Sequence, residues 1–414
     1  MSTTGLTVEY KGTGYSLSSK TAFQYLSDHQ GIDQDFSPAS IYFARQDQKQ
    51  KMFSEEFNVK STTDGRYKWL FGAFGFWQGI DNTVIMDYLS AAYSSRKLYD
   101  TPTYGIAFYH QSTFDDLLVD GLSATIGIRY DYERASTDYL SFKDTEEESK
   151  ELDAFYSKLK FSQVTPKFAL QYMFPSSGII YATVTKGYKT GGFNTSFERE
   201  EDRSFRPESS WNYEVGGKHP FLDNRLRAEI ALFWIDWKNQ QISQSLTVGS
   251  MLNNAGRSES KGVEVSLQGN PVNGLMVQLN YGFTHATFKD YTDKKKDKVY
   301  DYSGNYLPLV PSHTFSAGAD YTISNPCSHI DRILISANFT GAGRIYWKED
   351  NVVSQPFFGQ LNGKVSATKG FATFAIWAKN ITNTQYTAFY FEMGKGLAQA
   401  GRPFTIGGSV AVAF

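Results

Sequence analysis

The six histidines, His29, His110, His219, His285, His313 and His329, are the natural first candidates for chemistry, and they are scattered. No HxxxH or HExxH spacing brings two imidazoles onto one face, so no zinc-hydrolase geometry is encoded. A single thiol, Cys327, excludes an internal disulfide framework and any CxxC metal or redox site. No GxSxG nucleophile elbow and no GxxxxGKS/T phosphate loop is present. Gly187-Tyr-Lys-Thr-Gly191-Gly192 is glycine-rich but lacks the Gly-Lys-Ser/Thr and no helical pattern follows it, so it reads as a strand end opening into a loop. Two charge runs remain, the acidic Asp144–Glu151 and the basic Lys294–Lys298. Both fall in polar stretches expected to be solvated loops, where a ligand contact is the functional alternative. The expectation is a protein that is no enzyme and carries no cofactor and no metal.

The elements that must position any other function have a period of two. Leu226, Ala228, Ile230, Leu232 and Trp234 share a face, and Arg225, Arg227 and Glu229 start the other. Ala124, Ile126, Ile128 and Tyr130 alternate with Thr125, Gly127, Arg129 and Asp131. Leu275, Val277, Leu279, Tyr281 and Phe283 alternate with Gln278, Asn280, Gly282 and Thr284, and Leu361 and Val365 with Asn362 and Lys364. Such alternation predicts strands with one apolar and one polar face. About 17 strands are expected, most of them long enough to cross a bilayer at a tilt. They lie near 5–10, 15–27, 46–60, 65–79, 101–111, 121–133, 159–174, 178–188, 207–219, 225–238, 252–268, 274–288, 311–323, 331–343, 355–367, 371–386 and 403–414. Short turns rich in Gly, Asn, Asp and Pro alternate with long polar segments near 28–45, 80–100, 134–158, 189–206, 239–251, 289–310, 344–354 and 387–402.

That sorting of connections by length is the pattern of a transmembrane antiparallel up-and-down β-barrel. The composition agrees. Among 414 residues, 41 Lys+Arg against 43 Asp+Glu leave a net charge of −2, which gives no footprint for nucleic acid. Mean hydropathy is −0.41 and no run of 18 apolar residues occurs, which excludes a helical membrane protein while a barrel hides its lipid face by alternation. Aromatics make up 16% of the chain and gather near expected strand ends, at Trp69 and Trp77, Tyr130 and Tyr132, Trp234 and Trp237, Tyr346 and Trp347, and Phe389 and Tyr390. Two girdles at the membrane interfaces would use them. In the last strand, Phe404, Ile406, Val410, Val412 and Phe414 share a face, and the chain stops on an aromatic. The polar face would line a lumen through Arg129, Asp131, Arg225, Arg227, Glu229, Gln278, Asn280, Asp320, Asn338 and Lys364.

Several segments, in order, resemble the C-terminal barrel of TonB-dependent outer-membrane receptors. They are Tyr181–Asn194, Phe205–Glu208 with Trp211–Lys218, Asn253–Gly256 with Ser260–Glu264, Leu307–Pro311, Lys379–Tyr386 and Gly401–Phe414. Phe404 stands where the family more often has a basic residue. The resemblance implies one barrel domain over 1–414, with about 17 of the 22 strands usual in the family. It implies an N-terminally truncated receptor, since no plug domain and no signal peptide precede residues 5–10, which would then be the sixth strand. It implies a place in the outer membrane of a Gram-negative bacterium, among the lipid bilayer and lipopolysaccharide. It makes Phe414, with Val412 and Val410, the signal read by the barrel-assembly machinery. It implies uptake of a scarce small ligand such as a ferric siderophore, with the TonB complex acting only through the missing plug. The lumen residues would then touch ligand or plug. A plug-free porin-like channel, a nonfunctional receptor fragment and a structural or adhesive β-protein are the alternatives.

Overall fold

The computed structural model describes residues 1–197, 199–245, 250–295, 298–393 and 395–413; the side chains of Ser245, Lys294, Lys295 and Met393 are not described. Seventeen strands form one antiparallel sheet in up-and-down order. They are β1 (Ser2–Lys11), β2 (Tyr15–Asp33), β3 (Tyr42–Ser61), β4 (Tyr67–Tyr88), β5 (Tyr93–Phe114), β6 (Leu122–Asp144), β7 (Ser149–Met173), β8 (Ile179–Lys189), β9 (Glu208–Phe221), β10 (Leu226–Lys238), β11 (Arg257–Gly269), β12 (Leu275–Asp290), β13 (His313–Cys327), β14 (Ile330–Ala342), β15 (Phe358–Lys369), β16 (Ala372–Lys379) and β17 (Thr405–Val412). From β8 onward connections alternate long and short, as the sequence predicts; from β1 to β8 all are short. Several short ones use left-handed backbone. Gly274 has φ +82°, and a Cβ there would lie 2.4 Å from the Thr322 carbonyl oxygen, so only glycine fits.

The chain divides into two compact units. The first comprises Met1–Phe168, Tyr188–Glu208 and Met251–Asn253. Its register stacks outward residues in rows across the strands. Phe23, Phe53, Trp77 and Tyr104 form an upper aromatic row. Tyr67 stacks on Phe114 at 4.9 Å, beside Trp69, in a lower one. Between them Phe57, Phe71, Ile106, Phe108, Ile126 and Ile128 lie at least half exposed. A large apolar side chain left in the open is explained by a lipid surface. The β5 stretch from Tyr104 to Phe114 matches the roughly 9–11 residues that cross a bilayer.

The second unit comprises Ala169–Gly187, Ser209–Ser250 and Asn254–Phe414. Its outward faces repeat the pattern through Val215, Ile230, Leu232, Trp234, Val365, Phe374, Ile376, Ile406 and Val410. Its buried apolar cluster, Ala255, Ala286, Phe288, Tyr291, Tyr302 and Leu307 with Trp237, Ile242 and Val310, lies where the long connections fold onto strand ends. That position is expected of a lumenless loop pack rather than of the sheet, whose two faces meet lipid and lumen.

Three of the expected long loops are corrected. Most of 80–100 and 134–158, and the ends of 28–45, are strand; only residues 34–41, 89–92 and 145–148 connect. Above the upper aromatic row neither face meets hydrocarbon, so the apolar alternation fades while backbone pairing continues. Asp144 therefore ends β6, ion-paired to Arg96 at 2.7 Å, and only the middle of the acidic run is a turn. The strand expected at 371–386 stops at Lys379, because Asn380 turns the chain at φ 47° and its amide oxygen and NH2 hold Thr384 and Arg402. The strand expected at 252–268 is divided, since Ser250–Asn254 pairs with Gln241–Ser245 in a loop hairpin. Of the expected girdle aromatics, Trp237 joins the buried cluster and Tyr346, Trp347 and Phe389 pack within connections. Phe414 and part of the Lys294–Lys298 run lie outside the described residues.

Candidate functional site: the inner wall and its upper chamber

In the first unit, Arg129 and Asp131 are two apart on β6 and share the inward face. Arg129 Nε and Nη2 donate to the Asp131 carboxylate at 2.8–2.9 Å. The guanidinium lies 5.3 Å from the Tyr109 ring. Tyr109 Oη stands 2.7 Å from both Glu56 Oε1 and Asn58 Oδ1, and Lys20 approaches Glu56 at 3.5 Å. The ring fits because Gly72 lies beneath it; a Cβ there would sit 2.1 Å from the ring. Next to this chain of contacts is a cavity of about 240 Å³ lined by Phe74, Phe76, Arg129, Asp131, Glu133 and Tyr188. This wall is therefore a connected polar network and not loose lumen charge.

Higher on the same face, beyond the aromatic row, is a chamber of rings. Tyr99 and Tyr139 pair across β5 and β6 at 5.1 Å, and both are nearly buried. Phe155 of β7 lies 4.8 Å from Tyr139. Phe197, from the connection after β8, closes on Tyr139 at 5.5 Å and Phe155 at 6.0 Å. Arg203 of that connection lies over the Phe155 ring at 4.2 Å and pairs with Asp153 at 2.9 Å. The Tyr99 hydroxyl donates to the Thr195 carbonyl. Burial pushes the Lys97 ammonium below the usual lysine range and the Tyr99 and Tyr139 phenols above theirs.

In the second unit the inward face carries Arg227 and Glu229 on β10, Glu264 on β11, Gln278 and Asn280 on β12, Asp320 on β13, Asn338 on β14 and Lys364 on β15. Tyr181 Oη donates to Glu214 at 2.6 Å. Both line a cavity of about 400 Å³ with Lys218, Glu229, Glu264 and Asn280. Ser266 Oγ donates to Asn280 at 2.8 Å. The face carries both signs of charge and many hydrogen-bonding groups. Arg225 lies in the turn before β10, one residue short of the strand, and its carbonyl accepts from the Asn270 N–H. Val410 and Val412 point outward on β17, opposite Phe374 and Ala372.

The structure brings Arg129 to Asp131 in the first unit and sets Glu229 and Asn280 around one cavity in the second. The sequence reading missed Tyr109, Glu56, Asn58, Tyr181, Glu214 and the ring chamber. Tyr109 shares parity with Ala107 and Gly105, so the alternation could have flagged it. Phe197 and Arg203 lie on a connection, where no periodicity exists to signal them. Among the described residues no group of three or more His, Cys, Asp or Glu is disposed to hold a metal.

An apolar belt outside, a polar network inside and an up-and-down sheet find their counterpart in a family model. The model described as TonB dependent receptor-like, beta-barrel, matches residues 2–381. The chain belongs to this family of TonB-dependent receptor β-barrels. Its fold class is thereby the transmembrane antiparallel β-barrel. The ferric yersiniabactin uptake receptor FyuA from Yersinia pestis superposes with a TM-score of 0.83 at 19% identity, over 100% of this chain and 61% of that one. The siderophore receptor PiuA from Acinetobacter baumannii superposes with a TM-score of 0.77 at 15% identity, over 99% and 63%. At those identities the likeness is one of fold. In sequence, the TonB-dependent receptor barrel is 23% identical to the pesticin receptor of Yersinia pestis, over 72% of this chain and 42% of that protein. It is 26% identical to the catecholate siderophore receptor Fiu of Escherichia coli, over 46% and 24%. The chain thus spans less than half the length of these relatives.

Proposed function

We propose that this barrel is the wall of an outer-membrane receptor of a Gram-negative bacterium. The receptor takes up a scarce ligand, a ferric siderophore, when the TonB complex acts on a plug lodged in the lumen. The observation that carries this reading is the inward face of each unit, which is hydrogen-bonded and charged behind an outward face that is apolar. Relatives and structural neighbours named as siderophore receptors support the ligand class. Arg129, Asp131, Arg227, Glu229, Gln278, Asn280 and Lys364 then contact plug or ligand, and Arg225 does so from the turn beside them. The ring chamber, facing the same way above the belt, is placed to meet a ligand arriving from outside. Lipopolysaccharide surrounds the barrel, and the assembly machinery reads Val410, Val412 and Phe414.

The test is uptake of radiolabelled ferric siderophores by cells lacking their other receptors and expressing the gene in its native context. Uptake that requires TonB and falls on Arg129→Ala is expected. Uptake that persists in a TonB-deficient strain would instead establish a passive channel and overturn the proposal.

A further inference from the structure

The outward face of the first unit holds an arrangement that transport does not use. The upper aromatic row, Phe23, Phe53, Trp77 and Tyr104, continues onto β6 at Arg134, which stands opposite Tyr104. Two contacts give the register of β7 on β6. Thr165 Oγ1 reaches the Arg129 carbonyl at 3.5 Å, and the Phe155 ring meets Tyr139. That register sets Lys160 beside Arg134 and Lys158 beside Ser136. Arg134, Lys158 and Lys160 are all exposed on the outward face. Lys158 Nζ lies 4.8 Å from the centre of the Tyr156 ring. The ion pairs that β5, β6 and β7 make run elsewhere, among them Arg96 to Asp144, Arg129 to Asp131 and Arg203 to Asp153.

Two cations directly opposed across a strand pair repel, and the nearest outward carboxylate on β6, Asp138, stands two pairs above them, opposite Tyr156. Their height decides what stands between them. The aromatic row marks the boundary of the hydrocarbon, so the three cations sit where lipid head groups begin. We propose that Arg134, Lys158 and Lys160, with the Tyr156 hydroxyl, bind the phosphate of an outer-leaflet lipid. Guanidinium and ammonium groups donate charge-assisted hydrogen bonds to phosphate oxygens, and the bound anion removes the repulsion between Arg134 and Lys160. Acyl chains of the same lipid then lie down the apolar rows through Tyr132, Tyr130 and Ile128. This deepens the membrane reading above, on which it rests, by giving lipopolysaccharide a place on the barrel.

The experiment is native mass spectrometry of the chain extracted from membranes, offered bisphosphorylated lipid A, the same lipid with both phosphates removed, or inorganic phosphate. Wild type should retain the bisphosphorylated lipid, and retention should fall as salt rises. The combined Arg134→Gln, Lys158→Gln, Lys160→Gln chain should retain roughly 100-fold less, as three interfacial cations predict. Lys150→Gln, at the hairpin tip, should retain it as wild type does. Inorganic phosphate should neither be retained nor compete at equal concentration. Equal retention by wild type and the triple variant overturns the proposal. So does equal retention of the phosphate-free lipid, or salt-independent retention by wild type, a readout that holds even if the triple variant loses its heat-modifiable barrel band. Wild type that retains no lipid of any class, zwitterionic phospholipid included, overturns the membrane reading and this site with it.

Discussion

Tyr139→Ala should release the connection after β8 from the ring chamber. The Tyr139 side chain is 3% exposed and touches Tyr99, Phe155 and Phe197. Truncating a buried aromatic costs about 3–5 kcal/mol, and the lower figure applies at a rim that can partly collapse. Each lost ring pair accounts for about 0.5–1.5 kcal/mol, so three pairs give the same scale. About 3 kcal/mol raises the open population roughly 100-fold. Arg199 and Arg203 lie in that connection, and tryptic cleavage there tracks the open population when closing is faster than cutting. The assay is therefore trypsin digestion of intact membranes, with cleavage after these arginines followed over time. Tyr139→Phe keeps the rings and should cleave within about threefold of wild type. Tyr130→Ala, on the outward face, removes as large a side chain and should leave the rate unchanged. If Tyr139→Ala cleaves within threefold of wild type while retaining its heat-modifiable band, the chamber does not hold this connection and the reasoning fails.

Other outcomes follow from the same geometry. Gly72→Val should push Tyr109 off Glu56 and Asn58 and lower the urea midpoint of barrel unfolding by the equivalent of about 2 kcal/mol, as overpacking does; an unchanged midpoint would mean the ring is free to move. The Ser37 hydroxyl and the Ile41, Tyr42 and Ser37 amides hold the Asp35 carboxyl down at about 2. Its folded value is depressed, so its stabilisation of residues 34–41 is whole above about pH 4 and lost as pH falls toward 2. Amide exchange in that segment should accelerate over this window in wild type, and an identical profile in Asp35→Asn would refute the assignment. Leu222, Asp223 and Asn224 all take positive φ in the turn between β9 and β10. Leu222→Gly should therefore raise the unfolding midpoint by the equivalent of roughly 0.5–1 kcal/mol; a lowered midpoint would count against a strained turn. Deleting Phe414 should impair outer-membrane assembly far more than deleting Lys294–Lys298, judged by heat-modifiable barrel in membranes; equal yields would remove the terminal aromatic as a signal.

The limits of the sequence reading fall at a definite height. Within the belt, lipid on one side and lumen on the other impose opposite chemistry on alternate residues. Ile126, Ile128 and Tyr130 against Arg129 and Asp131 could therefore be assigned to faces from period alone. Above the row of Phe53, Trp77 and Tyr104 the hydrocarbon ends, and both sides meet polar surroundings. There Asp81, Asp100 and Asp138 stand in one outward row, Asp100 held above the usual carboxylate range by burial and by the other two. Inward at the same height are Tyr99 and Tyr139, apolar enough to form a chamber. Polarity no longer marks the face, so 80–100 and 134–158 read as loops although their backbones are paired.

Face and partner are also different kinds of information. Parity placed Arg129 and Lys364 on the inner wall, but it could not say that Arg129 meets Asp131 and Tyr109 while Lys364 stands opposite Trp377. Partners depend on register, which is set by turns and by rows of packed side chains several strands wide. The same distinction governs the outward cations. In sequence, Arg134, Lys158 and Lys160 fall in or beside a stretch that reads as a polar loop. Only the register inferred from Thr165 and Phe155 places Lys160 beside Arg134, in line with the aromatic row. A charge that looks solvated along the chain becomes, once its row is known, a charge at the edge of the hydrocarbon with a like charge beside it. Height and register together turn that composition into a claim about a lipid phosphate.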